Sequence, residues 1–351
     1  MRLKILRTVA GCLAAAVLLS MPAFAEPKTS AGSTVLLDGT TGRVLYADHE
    51  NIQSLIASTT KIMTGILVAE ECDLKAEYAI PREATGIEGS SMHLKAGEIV
   101  TVEELLYGMM LHSGNDAAAA LAMYCSGSIE AFAEKMNRKA EELGLSGTNY
   151  KNPHGLDEKE HYSTAMDLAR LTAYAMNNAV FREVVSTKSV TFGERTLTNH
   201  NKLLWQYEGA VGVKTGYTMA AGRILVSAAE REGRRLIAVT IDDRNDWADH
   251  AMLFDYGFSF YDLQTLANAG QIMGEVCVIG GAEDRVQAVI AEDLVCCLSE
   301  DDAAELLVYL PMFVYAPVLA GEQAGSVCVT IDGSEFQTIP LYWKYSVLEE
   351  A

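Results

Sequence analysis

The chain has 351 residues, 50% of them hydrophobic, with 47 Asp and Glu against 27 Lys and Arg, a formal net charge of -20. Such a length admits two domains, and such a hydrophobic share admits a sizeable core. The acidic balance argues against nucleic acid and against an anionic membrane surface as partners. There is no zinc-type cysteine spacing and no phosphate-cradling glycine loop, so no metal and no nucleotide cofactor is expected.

Residues 1–25 have the layout of a secretory signal. Arg2, Lys4 and Arg7 are a basic start, Val9 to Leu19 is an apolar core, and Ala23-Phe24-Ala25 is a small-x-small cleavage site. The apolar core is short for a full membrane span. Val9-Ala10-Gly11-Cys12 precedes most of that core, which argues against a lipoprotein box. The expected mature chain begins at Glu26 and lies outside the cytoplasm.

Ser33 to Leu45 has hairpin character, with a turn at Asp38-Gly39-Thr40-Thr41-Gly42. Next comes Ile56-Ala57-Ser58-Thr59-Thr60-Lys61-Ile62-Met63, opening an apolar helical run. Residues three apart share a helix face, so Lys61 is expected one turn from Ser58. A serine is a weak nucleophile until a base takes its proton, and a desolvated lysine can be that base. An N-cap serine followed by a surface lysine gives the same spacing, so this pair alone decides little. Thr101-Val102-Glu103-Glu104 forms a capping box that opens a helix through Leu111. Ser113-Gly114 breaks it, Asn115 starts an alanine-rich helix to Tyr124, and Ser128 caps a helix ending at Leu143-Gly144. Thr148 to Tyr162 lacks periodicity and is expected to be a loop. Thr164-x-x-Asp167 opens a helix to about Asn177. Strands follow at Ser189 to Phe192, Val211 to Tyr217, Ile224 to Ala229 and Leu236 to Ile241, then a helix from Trp247 to Tyr256.

Ser58-x-x-Lys61, Ser113-x-Asn115 and Lys214-Thr215-Gly216 occur in that order, a set shared by class A β-lactamases and penicillin-binding proteins. The surrounding text, including Gly89-Ser90-Ser91-Met92, Asn152-Pro153-His154-Gly155-Leu156 and Lys214-Thr215-Gly216-Tyr217-Thr218, resembles the low-molecular-mass penicillin-binding proteins. Within them it is similar to the serine D-alanyl-D-alanine carboxypeptidases, from about residue 30 to about residue 260. The resemblance implies an α+β fold: a β-lactamase/transpeptidase-like catalytic domain over 26–260, its antiparallel sheet covered by helices. Residues 261–351, with short apolar runs such as Val286 to Ile290 and Val327 to Ile331, form an expected small β-rich C-terminal domain.

By the same resemblance Ser58 is the nucleophile, Lys61 its base, and Ser113 a proton relay. Asn115 would hold a substrate amide, while Lys214 and Thr215 would attract the substrate carboxylate. Gly216 would let the substrate backbone approach the strand edge. The Ser58 and Tyr217 backbone N–H groups would form an oxyanion hole. Arg223 is expected to add a carboxylate contact, with Arg244 as the competing candidate. His200 stands where some relatives carry arginine. The implied partners are peptidoglycan stem peptides ending in D-alanyl-D-alanine, with β-lactams as acylating inhibitors and no cofactor. An endopeptidase or β-lactamase of the same fold is the alternative, as is a binding module with a dead site. Leu341 to Leu348 alternates like a strand, not like an amphipathic anchoring helix, so a released or peripherally held enzyme is expected in place of an anchored one.

Cys72, Cys125, Cys277, Cys296, Cys297 and Cys328 remain once Cys12 leaves with the signal. An even number outside the cytoplasm permits disulfides, and the C-terminal cysteines could pair among themselves. Their apolar surroundings fit small buried hydrophobes equally well.

Overall fold

The structure is a computed structural model in which residues 26–350 are described. The expected signal segment, 1–25, lies outside the described residues. A five-stranded antiparallel sheet organises the first part of the chain. Its order runs Val44–Asp48, Ser33–Asp38, Arg234–Ile241, Gly222–Arg231, Ala210–Thr218. The hairpin turns where expected: Asp38 Oδ1 accepts from Thr40 N (3.1 Å) and Thr41 N (2.7 Å), and Gly42 takes a φ of 76° that favours glycine.

Both faces of this sheet are covered. Val35 and Leu37 point into a cluster built with the helices Lys61–Glu71, Val102–Leu111, Asn115–Ser126 and Ala165–Ala175. Leu36 points the other way, onto Leu253 and Phe254 of the helix Asp246–Phe260. Alternate residues of one strand therefore serve two layers, which is why Ser33–Asp38 is buried at every position. The expected α+β architecture, an antiparallel sheet covered by helices, is the one observed.

The caps that the sequence marks are made. Thr101 accepts from Glu104 N, Ser128 from Ala131 N and Thr164 from Asp167 N. The reciprocal half of the Thr101 box is diverted, because the Glu104 carboxylate binds Arg195 instead. Ser58 departs from expectation in one respect. It lies in a 3-10 turn, Ala57–Thr60, immediately before the helix begins at Lys61. The helix Ala179–Ser186 and the hairpin Ser189–Phe192 with Arg195–Thr198 add elements that were only partly foreseen.

After Phe260 the chain is β-rich. A six-stranded sheet and a two-stranded ladder, Asp262–Ala267 with Leu294–Leu298, surround a separate apolar cluster that includes Val286, Val327 and Leu341. Arg43 ties the two parts together, pairing with Asp302 at 2.6 Å and donating to the Cys297 carbonyl.

The cysteine expectation needs correction. Cys72 and Cys125 form a disulfide between the end of the helix Lys61–Glu71 and the helix Asn115–Ser126. Cys277, Cys296, Cys297 and Cys328 are free. Strand geometry explains it: Cys296 and Cys297 are consecutive, so one enters the C-terminal cluster and the other the layer beneath the helix Asp246–Phe260. Cys277 is exposed while Cys328 is buried.

Candidate active site

The 3-10 turn carrying Ser58 is pressed between the edge strand Ala210–Thr218 and the loop around Pro153. Gly216 meets it from one side. A side chain there would crowd Ser58 N (3.3 Å) and Ile56 O (3.2 Å). Gly155, with φ 87°, meets it from the other, where any Cβ would overlap the Ala57 carbonyl. Glycine is thus required at Gly155 by space and by backbone conformation, while at Gly216 a side chain would fit only if the Ser58 turn shifted by a few tenths of an ångström. The loop is fastened further along. Thr64 Oγ1 donates to Pro153 O (2.7 Å), and Thr60 Oγ1 lies 2.8 Å from His161 Nε2. Because His161 Nδ1 accepts from Lys151 N (3.1 Å), Nε2 carries the proton and Thr60 accepts it. Burial depresses His161 to about 4, so the ring is neutral at physiological pH.

Lys61 lies wholly buried at the centre of this arrangement. Its Nζ is 2.9 Å from Ser58 Oγ, 2.7 Å from Asn115 Oδ1 and 2.6 Å from His154 O. Two of these partners only accept. A neutral amine has two hydrogens and one lone pair. With Asn115 Oδ1 and His154 O taking the hydrogens, the lone pair is left for the Ser58 hydroxyl. Burial, and then the charge of Lys214, hold the Lys61 amine well below the usual lysine range, with Asp116 opposing them. Geometry and electrostatics agree on the neutral form.

Asn115 has its side-chain amide shared with the protein. Oδ1 serves Lys61, and Nδ2 donates to Glu88 O (2.6 Å), leaving one Nδ2 hydrogen. Its neighbour Asp116 is buried and organises the loop before it, accepting from Ser91 Oγ (2.6 Å), Met92 N (2.9 Å) and Leu94 N (3.1 Å). Ser113 sits at φ 63°, and among the described residues its Oγ has no hydrogen-bond partner. Lys214 is only 2% exposed, and among the described residues its ammonium has one partner, Thr215 O at 3.0 Å. Burial depresses it to about 7.

These residues converge. Ser58, Ser113, Thr215, Gly216, Tyr217 and Arg223 line a single cleft of about 560 Å³, with Lys61, Asn115 and Lys214 buried around it. Arg244 is exposed and does not line the cleft. His154 contributes its backbone carbonyl, and its ring is neutral because burial lowers it to about 3. Glu158 and Glu160 lie at an exposed loop tip, where Glu158 accepts from Asn152 Nδ2 and Glu160 faces Lys151.

Residues 21–245 match the family model of D-alanyl-D-alanine carboxypeptidases, and residues 261–349 match the C-terminal domain of penicillin-binding protein 5. The chain belongs to the D-alanyl-D-alanine carboxypeptidase family. It is accordingly an enzyme of the serine-type D-alanyl-D-alanine carboxypeptidase class. The carboxypeptidase DacF of Bacillus subtilis is 34% identical over 329 residues, 89% of this chain and 84% of that protein. Penicillin-binding protein 5 from Haemophilus influenzae superposes with a TM-score of 0.83 at 28% identity, over 93% of this chain and 99% of that one. A mutant Streptomyces K15 DD-transpeptidase, 34% identical with a TM-score of 0.65, matches 67% of this chain and 100% of its own.

The cleft also holds residues to which sequence reasoning gave no role. Ser90 and Lys202 line it, as does His200, whose ring packs tilted against that of His112 with centroids 5.0 Å apart. Asp246 and Trp247 close the end beside Arg223. Ser90 lies within the family text and could have been singled out. Asp246 and Trp247 carry no local signature, since only the tertiary fold brings the start of their helix to the strand edge.

Proposed function

We propose that this enzyme removes the terminal D-alanine from peptidoglycan pentapeptide stems through an acyl-enzyme on Ser58. The observation that carries this reading is the hydrogen-bond set of Lys61, whose two acceptor-only partners leave its lone pair on the Ser58 hydroxyl. Lys61 takes the Ser58 proton as Oγ attacks the D-alanyl carbonyl. The carbonyl oxygen, now negative, is received by the backbone N–H groups of Ser58 and Tyr217, since the close Gly216 contact brings the Ser58 turn against the Tyr217 strand. Ser113, unpartnered and beside the cleft, passes the proton to the departing D-alanine nitrogen. Asn115 offers its remaining Nδ2 hydrogen to the stem peptide. Lys214, Thr215 and Arg223 receive the terminal carboxylate. The under-satisfied Lys214 ammonium supports this, since a buried cation with one hydrogen bond gains from an anion. Water then hydrolyses the ester.

In this reading residues 1–25 direct export, the enzyme works outside the cytoplasm, 26–260 form the catalytic unit and 261–351 the β-rich domain. β-Lactams acylate the same Ser58. Chromatography of a synthetic pentapeptide after incubation tests it: tetrapeptide and free D-alanine are expected in equal amounts, and Ser58→Ala yields neither. Cleavage confined to cross-linked fragments would replace the reading with an endopeptidase.

A further inference from the structure

We propose that Asp246 is a positioning residue. It aims the Arg223 guanidinium so that its free Nη1 edge receives the carboxylate of the leaving D-amino acid. The inference rests on the proposed reading of the cleft as a D-alanyl-D-alanine site. Arg223 is the second residue of the strand Gly222–Arg231 and sits directly across from Tyr217 on the Lys214 strand. Both residues line the cleft, so the guanidinium stands at the same strand edge as Thr215.

Asp246 grips one edge of that guanidinium. Arg223 Nε donates to Oδ2 (3.1 Å), and Nη2 donates to Oδ1 (2.9 Å) and Oδ2 (2.7 Å). Nη1 makes no hydrogen bond among the described residues. A guanidinium presents five N–H donors in a rigid fork, so fixing the Nε/Nη2 edge fixes where the Nη1 hydrogens point. The Trp247 ring lies 5.9 Å from Cζ and limits rotation out of that plane.

The burial of the pair is lopsided. The Asp246 side chain is 5% exposed and that of Arg223 46%. A surface ion pair formed for stability alone contributes about 0–1 kcal/mol and has no need of a buried partner. Here the carboxylate is anchored independently of the arginine. It opens the helix Asp246–Phe260, where negative charge is favoured, and Oδ1 also accepts from Trp247 N (2.9 Å). The arginine backbone is tied to the same connection, with Asp243 N donating to Arg223 O (2.9 Å). A fixed anion therefore holds a half-exposed cation that lines the cleft and keeps its Nη1 donors unused among the described residues. That arrangement suits a planar carboxylate better than a neutral group.

The test compares two thioester substrates of identical acyl part. One has a leaving group ending in a free carboxylate, and in the other that carboxylate is methyl-esterified. The readout is the ratio of their kcat/KM values in the full-length mature enzyme. The wild type is expected to favour the carboxylate, and Arg223→Ala and Asp246→Ala each to collapse the ratio about tenfold or more. Asp246→Asn, which keeps the side-chain volume and an acceptor for Trp247 N, is expected to collapse it too, covering the case in which Asp246→Ala fails to fold. The Arg223→Ala/Asp246→Ala double variant is expected to match either single one, because the two act as a unit. An unchanged ratio in Asp246→Asn alongside a collapsed one in Arg223→Ala would overturn the positioning role while leaving Arg223 as a contact. An equal loss on both substrates would overturn it as a structural effect. A ratio near one already in the wild type would overturn the carboxylate reading of this end of the cleft, including the part on which the inference rests.

Discussion

The cleft floor around Lys61 and the strand edge around Lys214 bury the same side chain almost equally, 0% and 2% exposed, yet they satisfy it differently. Among the described residues Lys61 has three partners within 2.9 Å, whereas Lys214 has one, at 3.0 Å. A fully satisfied amine whose partners consume both hydrogens of the neutral form is built to be a base. A buried ammonium with unused donors is built to meet an anion. Burial depresses both, so it is the surrounding acceptors that separate a base from an anchor.

The largest expected effect breaks the first half of this contrast. Lys61→Met removes the base while preserving volume, and kcat/KM for the pentapeptide should fall by about 10³-fold or more. A fall of less than tenfold would show that another group activates Ser58. Gly155→Ala attacks the support of that half. Its Cβ would overlap the Ala57 carbonyl at a φ of 87°, so a loss of roughly 3 kcal/mol is expected in urea unfolding. A midpoint indistinguishable from wild type would mean the loop does not brace the Ser58 turn.

Lys214→Met addresses the second half, in activity and stability at once. Acylation should slow by about a hundredfold. Stability at neutral pH should rise, by the following sign. The folded Lys214 sits at about 7, below the unfolded value near 10.4, so protonation favours the unfolded chain. That penalty is full below about pH 7 and fades as pH rises towards the unfolded value. Removing the amine should therefore stabilise the protein by roughly 2 kcal/mol at pH 6–7 and by little near pH 10. A destabilised Lys214→Met would contradict the reading of an under-satisfied ammonium.

The smallest effect sharpens the contrast through pH. Acylation should rise as Lys61 loses its proton and fall as Lys214 loses its own near pH 7. Lys214→Arg keeps its charge across this range, so the alkaline fall should disappear while the acid limb remains. An unchanged alkaline limb would assign that fall to another group.

The reactive half of the cleft was legible because its residues fall in short motifs. Ser58 and Lys61 are three apart, Ser113 and Asn115 two apart, and the Lys214 motif lies in an apolar strand. What escaped depends on distant pairs. The Arg223–Asp246 clamp and the Cys72–Cys125 disulfide join segments with no shared pattern. Asp116 carries no signal of its own in the sequence, because its donors from Ser91, Met92 and Leu94 reach it only in the fold. The helix Ala179–Ser186 did carry a signal: Asn178 as cap, and Phe181, Val184 and Val185 at helical spacing. The fold's layers were legible in outline because alternating strands and capped helices are local. The free C-terminal cysteines were not, because counting thiols says nothing about which way each faces.

In the proposed reading Ser58, activated by Lys61, forms the acyl-enzyme, and a penicilloyl group on it is released to water slowly. Glu158 and Glu160, like Asp157 beside them in the loop between the Ser113 and Lys214 motifs, are exposed and do not line the cleft. The most direct measurement is mass spectrometry of the enzyme after exposure to penicillin, with peptide mapping at increasing times. One adduct is expected, on the peptide containing Ser58, outlasting many peptide turnovers and absent from Ser58→Ala. An adduct on any other serine, or rapid loss of the label that slows in Glu158→Gln or Glu160→Gln, would contradict it.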